Sequence, residues 1–321
     1  MTLNLALIGT GGIVRNGHAI ALAAAPSVQL WSVLSRDLAR AESFAREFGA
    51  GAPKPAHDRL ESLLADPELD GVIIATPDKL HSAQALAAAR AGKHILLEKP
   101  MATDLEEARA LLDQCQRRQV TLGLCYHLRW HSGHRVVVAG AHQGEFGELK
   151  HVRAMWSYRA PDAANWRAGS RLGRWWSLAA VGTHCLDLAR WTLTPACGEI
   201  TEFRALTSKA HWQGPHDESA LLTGRFQSGA TMEICSSVLF EAPPRFEIYG
   251  TKGYAICQGT LGREGGGQIW THRGDVQFRV ENPFVGLVED FARAVKEGRQ
   301  PAVSGDEALR NLEFLLKADP H

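Results

Sequence analysis

The chain has 321 residues, which suggests about two domains and leaves room for a sizeable core without disulfide or metal staples. Lys plus Arg number 35 and Asp plus Glu 35, so the net charge is zero, which argues against nucleic acid as the main partner because phosphate binding wants a basic excess. Hydrophobic residues at 45% and charged residues at 22% exclude disorder, collagen and coiled coil, and no uncharged apolar stretch reaches the roughly 18 residues of a membrane span.

The apolar run within Met1–Ile8 lacks a basic region in front and leads straight into Gly9, so it predicts a first strand, Leu3–Ile8, rather than a signal peptide. A helix follows over Ile13–Ala25 and a strand over Val28–Leu34. Next comes a helix over Leu38–Phe48, with Gly49 as its C-cap, and a short helix over Leu60–Leu64. The alternation continues with Val72–Ala75 (strand), Ser82–Ala91 (helix, closed by Gly92), His94–Glu98 (strand), Leu105–Arg117 (helix) and Thr121–Cys125 (strand). Strands apolar on both faces and separated by helices of about ten residues imply a doubly wound parallel sheet, an α/β domain over residues 1–124.

From about Leu149 the pattern changes. His151–Tyr158, Glu199–Thr207, Ser219–Gln227, Ala230–Val238, Arg245–Gly250 and Gly253–Gln258 read as longer strands, several with no helix between them. Leu178–Trp191, Phe284–Glu297 and Asp306–Leu316 read as helices. Residues 125–321 are therefore expected to form an α+β domain with a large, mostly antiparallel open sheet. Met232, Ile234 and Val238 alternate on one face of a strand, a candidate apolar surface for self-association. Cys115, Cys125, Cys185, Cys197, Cys235 and Cys257 contain no CxxC pair and read as reduced, mostly buried thiols of a cytoplasmic protein.

Gly9-Thr10-Gly11-Gly12-Ile13-Val14 follows a predicted strand and opens a predicted helix. Gly9 suits the tight turn. Gly11 lets the backbone approach a pyrophosphate seated on the helix N-terminus, and Gly12 and Ile13 complete the turn. Val14 stands where a third Gly or Ala is usual. At the end of the second strand, where an acid would select NAD, the chain reads Ser35-Arg36-Asp37. A hydroxyl and a guanidinium, with Arg40 one turn further on, suit a 2′-phosphate and favour NADP over NAD. Asp37 is the alternative ribose acid if the strand ends later.

Ala75-Thr76-Pro77-Asp78-Lys79-Leu80-His81 and Glu98-Lys99-Pro100, in this order after the glycine turn, make the chain resemble the glucose–fructose oxidoreductase / inositol dehydrogenase / rhizopine catabolism (Gfo/Idh/MocA) family. The resemblance implies that Thr76, Pro77, His81, Glu98 and Lys99 join the glycine turn in binding the cofactor. It also implies that Lys99 is catalytic, at the nicotinamide and the substrate hydroxyl. A lysine at the carboxyl end of a central strand is well placed to hydrogen-bond a reacting oxygen. Tyr126-His127-Leu128-Arg129-Trp130 is similar to the family's Y-N-x-R-F segment, with His127 in place of Asn.

The second-domain motif survives in Trp166-Arg167, Gly182, His184 and Asp187, but Arg174-Trp175-Trp176 replaces a glycine triplet and Ala180 replaces the family's aspartate. The resemblance thus implies His184 as a second catalytic residue, with Tyr126, Trp166, Arg167 and Trp176 joining Lys99 and His184 at the substrate. Trp175 and Trp176 read equally well as core aromatics. His127, His131 and His134 have helical spacing, but no acid or cysteine completes the set except Cys125 just upstream, so no metal site is expected. Gly262–Gly267 lies between predicted strands and is a loop.

The function expected is NAD(P)-dependent hydride transfer at a carbinol or carbonyl carbon; the resemblance implies a sugar, cyclitol or related small molecule as substrate and a homo-oligomer built through the second-domain sheet. The alternatives are a non-catalytic dinucleotide-bound sensor, which Ala180 favours, and a glycosidase that uses a bound nicotinamide.

Overall fold

The structure is a computed structural model that describes residues 2–169 and 171–319. The chain divides into two units. The first takes the stretch to Cys125 together with Phe284–Leu312; the second takes Tyr126–Pro283 and the stretch from Glu313.

In the first unit, β1 (Leu3–Ile8), β2 (Val28–Leu34), β3 (Ala56–His57), β4 (Gly71–Ile74), β5 (His94–Leu97) and β6 (Leu122–Leu124) form one sheet in the order β3-β2-β1-β4-β5-β6. All its pairings are parallel. Leu5, Leu7, Val72, Ile73, Ile95 and Leu96 are fully buried, as strands covered by helices on both faces require. The helices are α1 (Ala19–Ala24), α2 (Leu38–Glu47), α3 (Leu60–Leu64), α4 (His81–Arg90) and α5 (Leu105–Arg118). Strand order runs outward in opposite directions from β1 and β4. Such a switch point opens a crevice at the carboxyl ends of the strands.

The first helix begins as a single π-helical turn over Val14–His18 before becoming α1. Gly17 lies in that turn, where a Cβ would sit 3.3 Å from the Phe284 ring, a tight contact. Phe284 belongs to α8 (Pro283–Glu297), and α9 (Gly305–Ala318) follows it. Gly305 lies against Leu112 and Leu122, and Ser304 bridges Gly123 beside β6. Packing therefore gathers Phe284–Leu312 with the first unit, although the sequence reading places all of 125–321 in the second domain.

The second unit is built on an eight-stranded sheet: β7 (Leu149–Ser157), β8 (Ile200–Ser208), β9 (Ser219–Phe226), β10 (Thr231–Ser237), β11 (Arg245–Gly250), β12 (Tyr254–Gln258), β13 (Gln268–Thr271) and β14 (Gly274–Asp275). The order is β14-β13-β12-β11-β7-β10-β9-β8. Only the central β7–β10 pair is parallel. The helices α6 (Ser132–His142) and α7 (Thr183–Cys197) belong to this unit. Met232, Ile234 and Val238 are at most 2% exposed and serve the core, so they are not the open face that the sequence suggested. The opposite face carries Leu221, Thr223 and Arg225 of β9 and Glu233 of β10. Ion pairs Arg153–Glu233 and Arg225–Glu202 cross it.

His131 and His134 are structural. Their rings stack at 4.3 Å, and the His131 side chain caps α6 by accepting from the Gly133 and His134 N–H groups. His131 Nε2 meets the Gly266 carbonyl at 3.0 Å, and His134 bridges the Leu128 carbonyl and the Thr260 hydroxyl. Burial holds both imidazoles below the ordinary histidine range, His134 well below, where the neighbouring His131 adds to the effect.

The unfolded chain therefore takes up protons first as pH falls. Stability is full above about pH 6.5 and drops toward the folded-state values, by at most about 1.4 kcal/mol per pH unit per histidine. Urea midpoints at pH 8 and pH 5 should differ, and His134→Gln should flatten that difference.

Candidate active site

The crevice side of the first unit is assembled from strand ends. Gly9 follows β1 with φ +112°, a conformation that side chains rarely adopt, and a Cβ there would lie 2.6 Å from the Ala75 carbonyl oxygen after β4. Only glycine fits this crossing of the two central strands. Gly11 and Gly12 are exposed, and a Cβ on either would meet nothing within 4 Å. That open backbone at the start of a helical segment is the cradle a pyrophosphate needs, so the residues fit a dinucleotide. Ile13 is 37% exposed at the same turn, and Val14 fills the third-glycine position as a buried core residue.

Ser35 is buried at the end of β2 and its hydroxyl accepts from the Asp37 N–H at 3.3 Å. The Asp37 side chain caps α2, accepting from the Arg40 N–H at 3.2 Å. Arg36 and Arg40 are exposed at that helix start. After β4, Thr76 is half-buried and donates to Gln84, and Pro77 follows it. The buried His81 ring spans the Thr76 and Pro100 carbonyls at 2.8 and 2.7 Å, tying the loops after β4 and β5 together.

Glu98 and Lys99 are 7% and 8% exposed at the carboxyl end of β5, and the Lys99–Pro100 peptide is cis. Behind them the structure reveals His18, which the sequence reading passed over. It is fully buried, with Nε2 2.8 Å from Glu98 Oε1. Val14–His18 is a π-helical turn, so the i, i+4 spacing of an α-helix gave no reliable signal for His18. Cys125, after β6, hydrogen-bonds the same carboxylate. Donor atoms of His18, Glu98 and Cys125 lie within 4.8 Å of one another, a potential ligand set that hydrogen bonds already engage.

In the second unit, His184 is 3% exposed in the first turn of α7. Its ring meets His127 edge-on at 4.9 Å, Trp156 at 5.5 Å and Tyr126 at 5.8 Å. The Tyr126 hydroxyl pairs with Thr183 Oγ1 at 2.7 Å. Arg129 grips Asp187 with two bonds of 2.8 and 2.6 Å, both side chains being buried. The conspicuous residues of the Y-H-x-R and H-x-x-D segments thus pair off one with another. The partly buried Trp156 of β7 joins them, which the sequence reading did not single out.

A π-helical turn over Leu178–Gly182 precedes α7 and includes the half-buried Ala180. It changes the i, i+4 register that would otherwise align Ala180 with His184. The buried Asp217 holds the start of this turn, accepting from the Trp176 and Leu178 N–H groups at 2.9 and 2.7 Å. Burial pushes its carboxyl up to about 6 despite these bonds.

Trp175 and Trp176 are each 2% exposed. Trp176 stacks on Trp212 at 5.0 Å within a cluster that includes Ala160 and Val238, which is the core reading of these indoles. Trp166 is half-buried, with the Arg167 guanidinium 4.1 Å over its ring. His127 packs against His184 rather than on the His131–His134 stack.

The family model described as "Oxidoreductase family, NAD-binding Rossmann fold" matches residues 3–126, and "GFO/IDH/MocA C-terminal domain" matches residues 134–256. The chain belongs to this family. A 1,5-anhydro-D-fructose reductase of Ensifer adhaerens is 28% identical over 95% of this chain and 92% of its own length. A D-xylose 1-dehydrogenase (NADP(+)) of Haloferax volcanii is 30% identical over 94% of this chain and 92% of its own. The solved aldose-aldose oxidoreductase of Caulobacter crescentus, complexed with glycerol, superposes with a TM-score of 0.91 at 21% identity, covering 99% of this chain and 96% of that one. The fold and the family's NAD(P)-dependent oxidoreductase class are therefore those expected from the motifs. Among the described residues, no helix is long and apolar enough to cross a membrane.

Proposed function

We propose that this protein interconverts a carbinol and a carbonyl on a sugar, cyclitol or related polyol, with NADP as the preferred cofactor. The observation that carries the reading is Lys99, buried at the carboxyl end of β5 in the unit that holds the glycine cradle. When bound, the nicotinamide supplies the site that accepts or gives the hydride. Lys99 hydrogen-bonds the reacting oxygen, taking its proton in oxidation and returning it in reduction. His184 is the second acid–base group, its ring fixed by Tyr126, His127 and Trp156. With Ala180 in place of an acid, substrate hydroxyls are oriented by other groups, among which Arg167 and the half-buried indoles Trp156 and Trp166 suit a ring face. Absorbance at the nicotinamide band with a panel of sugars, polyols and inositols tests this. Cofactor binding with no reversible change across the panel would favour a sensor instead.

The NADP preference is supported by the employment of Asp37 as a helix cap, which leaves Ser35, Arg36 and Arg40 at a helix start suited to a phosphate. Ser35→Asp should repel the 2′-phosphate and shift the ratio of NADP to NAD affinities by about tenfold or more toward NAD. Comparable dissociation constants for both cofactors in the unmutated protein would overturn the preference.

Self-association is proposed through the open face of the second-unit sheet. Leu206 and Leu221 are 68% and 47% exposed there, beside a shallow trough that Arg204, Thr223 and Thr231 also line. The six free thiols suit a cytoplasmic setting. Light scattering should give a mass of at least twice the 35.0 kDa chain. Leu221→Asp should lower it; a monomer in the unmutated protein at micromolar concentration would count against the interface.

A further inference from the structure

Glu98 is a buried carboxylate met by hydrogen-bonding groups from three separate segments. His18, from the first helix, places Nε2 2.8 Å from Oε1. The Lys99 backbone N–H donates to Oε2 at 3.3 Å, and Cys125, from the end of β6, supplies its thiol. A buried carboxylate without partners takes up a proton, whereas donors aimed at its oxygens keep it ionised. The backbone N–H can only donate. Burial holds the Cys125 thiol well above its ordinary range, so it too stays protonated and donates.

His18 Nδ1 is buried with no hydrogen-bond partner among the described residues, so the polar engagement of this ring is with Glu98. The backbone N–H and the Cys125 thiol favour the ionised carboxylate independently of His18, and an ionised carboxylate selects the tautomer with the proton on Nε2. The cluster is therefore arranged to keep one negative charge out of water, one residue before Lys99.

We propose that His18 and Cys125 hold Glu98 as a fixed anion that biases the protein toward binding the oxidised form of its nicotinamide cofactor. This rests on the reading of Lys99 as the residue at the nicotinamide. The oxidised ring carries a positive charge that the reduced ring lacks. An anion in a crevice of low dielectric favours the oxidised form, and the Lys99 ammonium opposes it. The two neighbouring side chains thus push the preference in opposite directions. His18 and Cys125 act as positioning residues, through Glu98.

The test needs no substrate. Dissociation constants for NADP+ and NADPH are measured by titration on the intact protein, and their ratio is the readout. Glu98→Gln, which is isosteric, should raise the NADP+ to NADPH ratio of dissociation constants by about tenfold, and Lys99→Met should lower it. His18→Leu should move the ratio in the same direction as Glu98→Gln, because the carboxylate then gains a proton. His18→Gln, whose amide can still donate to Oε1, should restore it to within about twofold, which a packing role alone would not do.

If Lys99→Met moves the ratio while Glu98→Gln and His18→Leu leave it unchanged, the inference is overturned and the Lys99 reading stands. If Lys99→Met changes neither ratio nor turnover, the Lys99 reading fails and the inference falls with it. Should His18→Leu not fold, Glu98→Gln decides the matter.

Discussion

Lys99→Met is expected to lower turnover by about a hundred- to ten-thousand-fold while leaving the melting temperature within a few degrees of the unmutated protein. The two parts of this expectation have separate causes. Loss of turnover follows from removing the group proposed to exchange a proton with the reacting oxygen. Retention of the fold follows from how the neighbourhood is held. Glu98 takes hydrogen bonds from His18, from Cys125 and from the Lys99 backbone, none of which needs the Lys99 side chain. Methionine has a similar length, and its flexible thioether fills the space left by the lysine stem. Hydride transfer followed at the nicotinamide band, with a thermal melt on the same sample, separates the two. Rates like those of the unmutated protein would remove Lys99 from the mechanism.

The parallel sheet was legible in the chain because its strands are buried on both faces and read as unbroken apolar runs. The antiparallel strands were legible from their turns. What stayed hidden was local. Ser132–His142 reads poorly as a helix, with Gly133, Gly140 and three consecutive valines. It folds as α6 because the His131 ring caps it and because His134, Val137, Val138 and Ala141 bury one face.

The two π-helical turns are invisible to periodicity, yet they sit where side chains matter most: one delivers His18 to Glu98, the other leads into His184. Strand β13 and the two-residue β14 are too short to rise above the glycine-rich loop before them. Gly9 and Lys99 lie at strand ends as expected, whereas His184, expected inside a helix over Leu178–Trp191, falls in the first turn of α7 behind a π-helical turn. Trp176 stacks on Trp212 in a cluster with Ala160 and Val238, and apolar size alone cannot distinguish an indole that lines a pocket from one that fills a core. His18, Cys125 and Trp156 act through contacts with residues far along the chain, and no local pattern announces such pairings.

The largest effect on stability is expected at Arg129. Its guanidinium makes two parallel bonds to Asp187, and both side chains are almost wholly out of water. The pair joins the 3₁₀ turn His127–Trp130 to α7, the helix that carries His184 three residues earlier on the same chain. Removing one member of a buried pair leaves the other charge without compensation, which typically costs about 3–5 kcal/mol. Arg129→Met should therefore lower the urea midpoint strongly. Asp187→Leu should do the same from the other side.

Replacing both together, Arg129→Met with Asp187→Leu, removes the two charges at once and should recover much of the loss, since an apolar pair of similar volume can be as stable as the ion pair it replaces. Recovery of stability need not bring recovery of turnover. The bidentate geometry fixes the angle at which α7 meets the turn bearing His127, and two flexible apolar side chains do not. The double variant is thus expected to melt near the unmutated protein while turning over more slowly. If the single variants each cost less than about 1 kcal/mol, the pair would behave as a solvated surface bridge, and its proposed hold on His127 and His184 would be wrong.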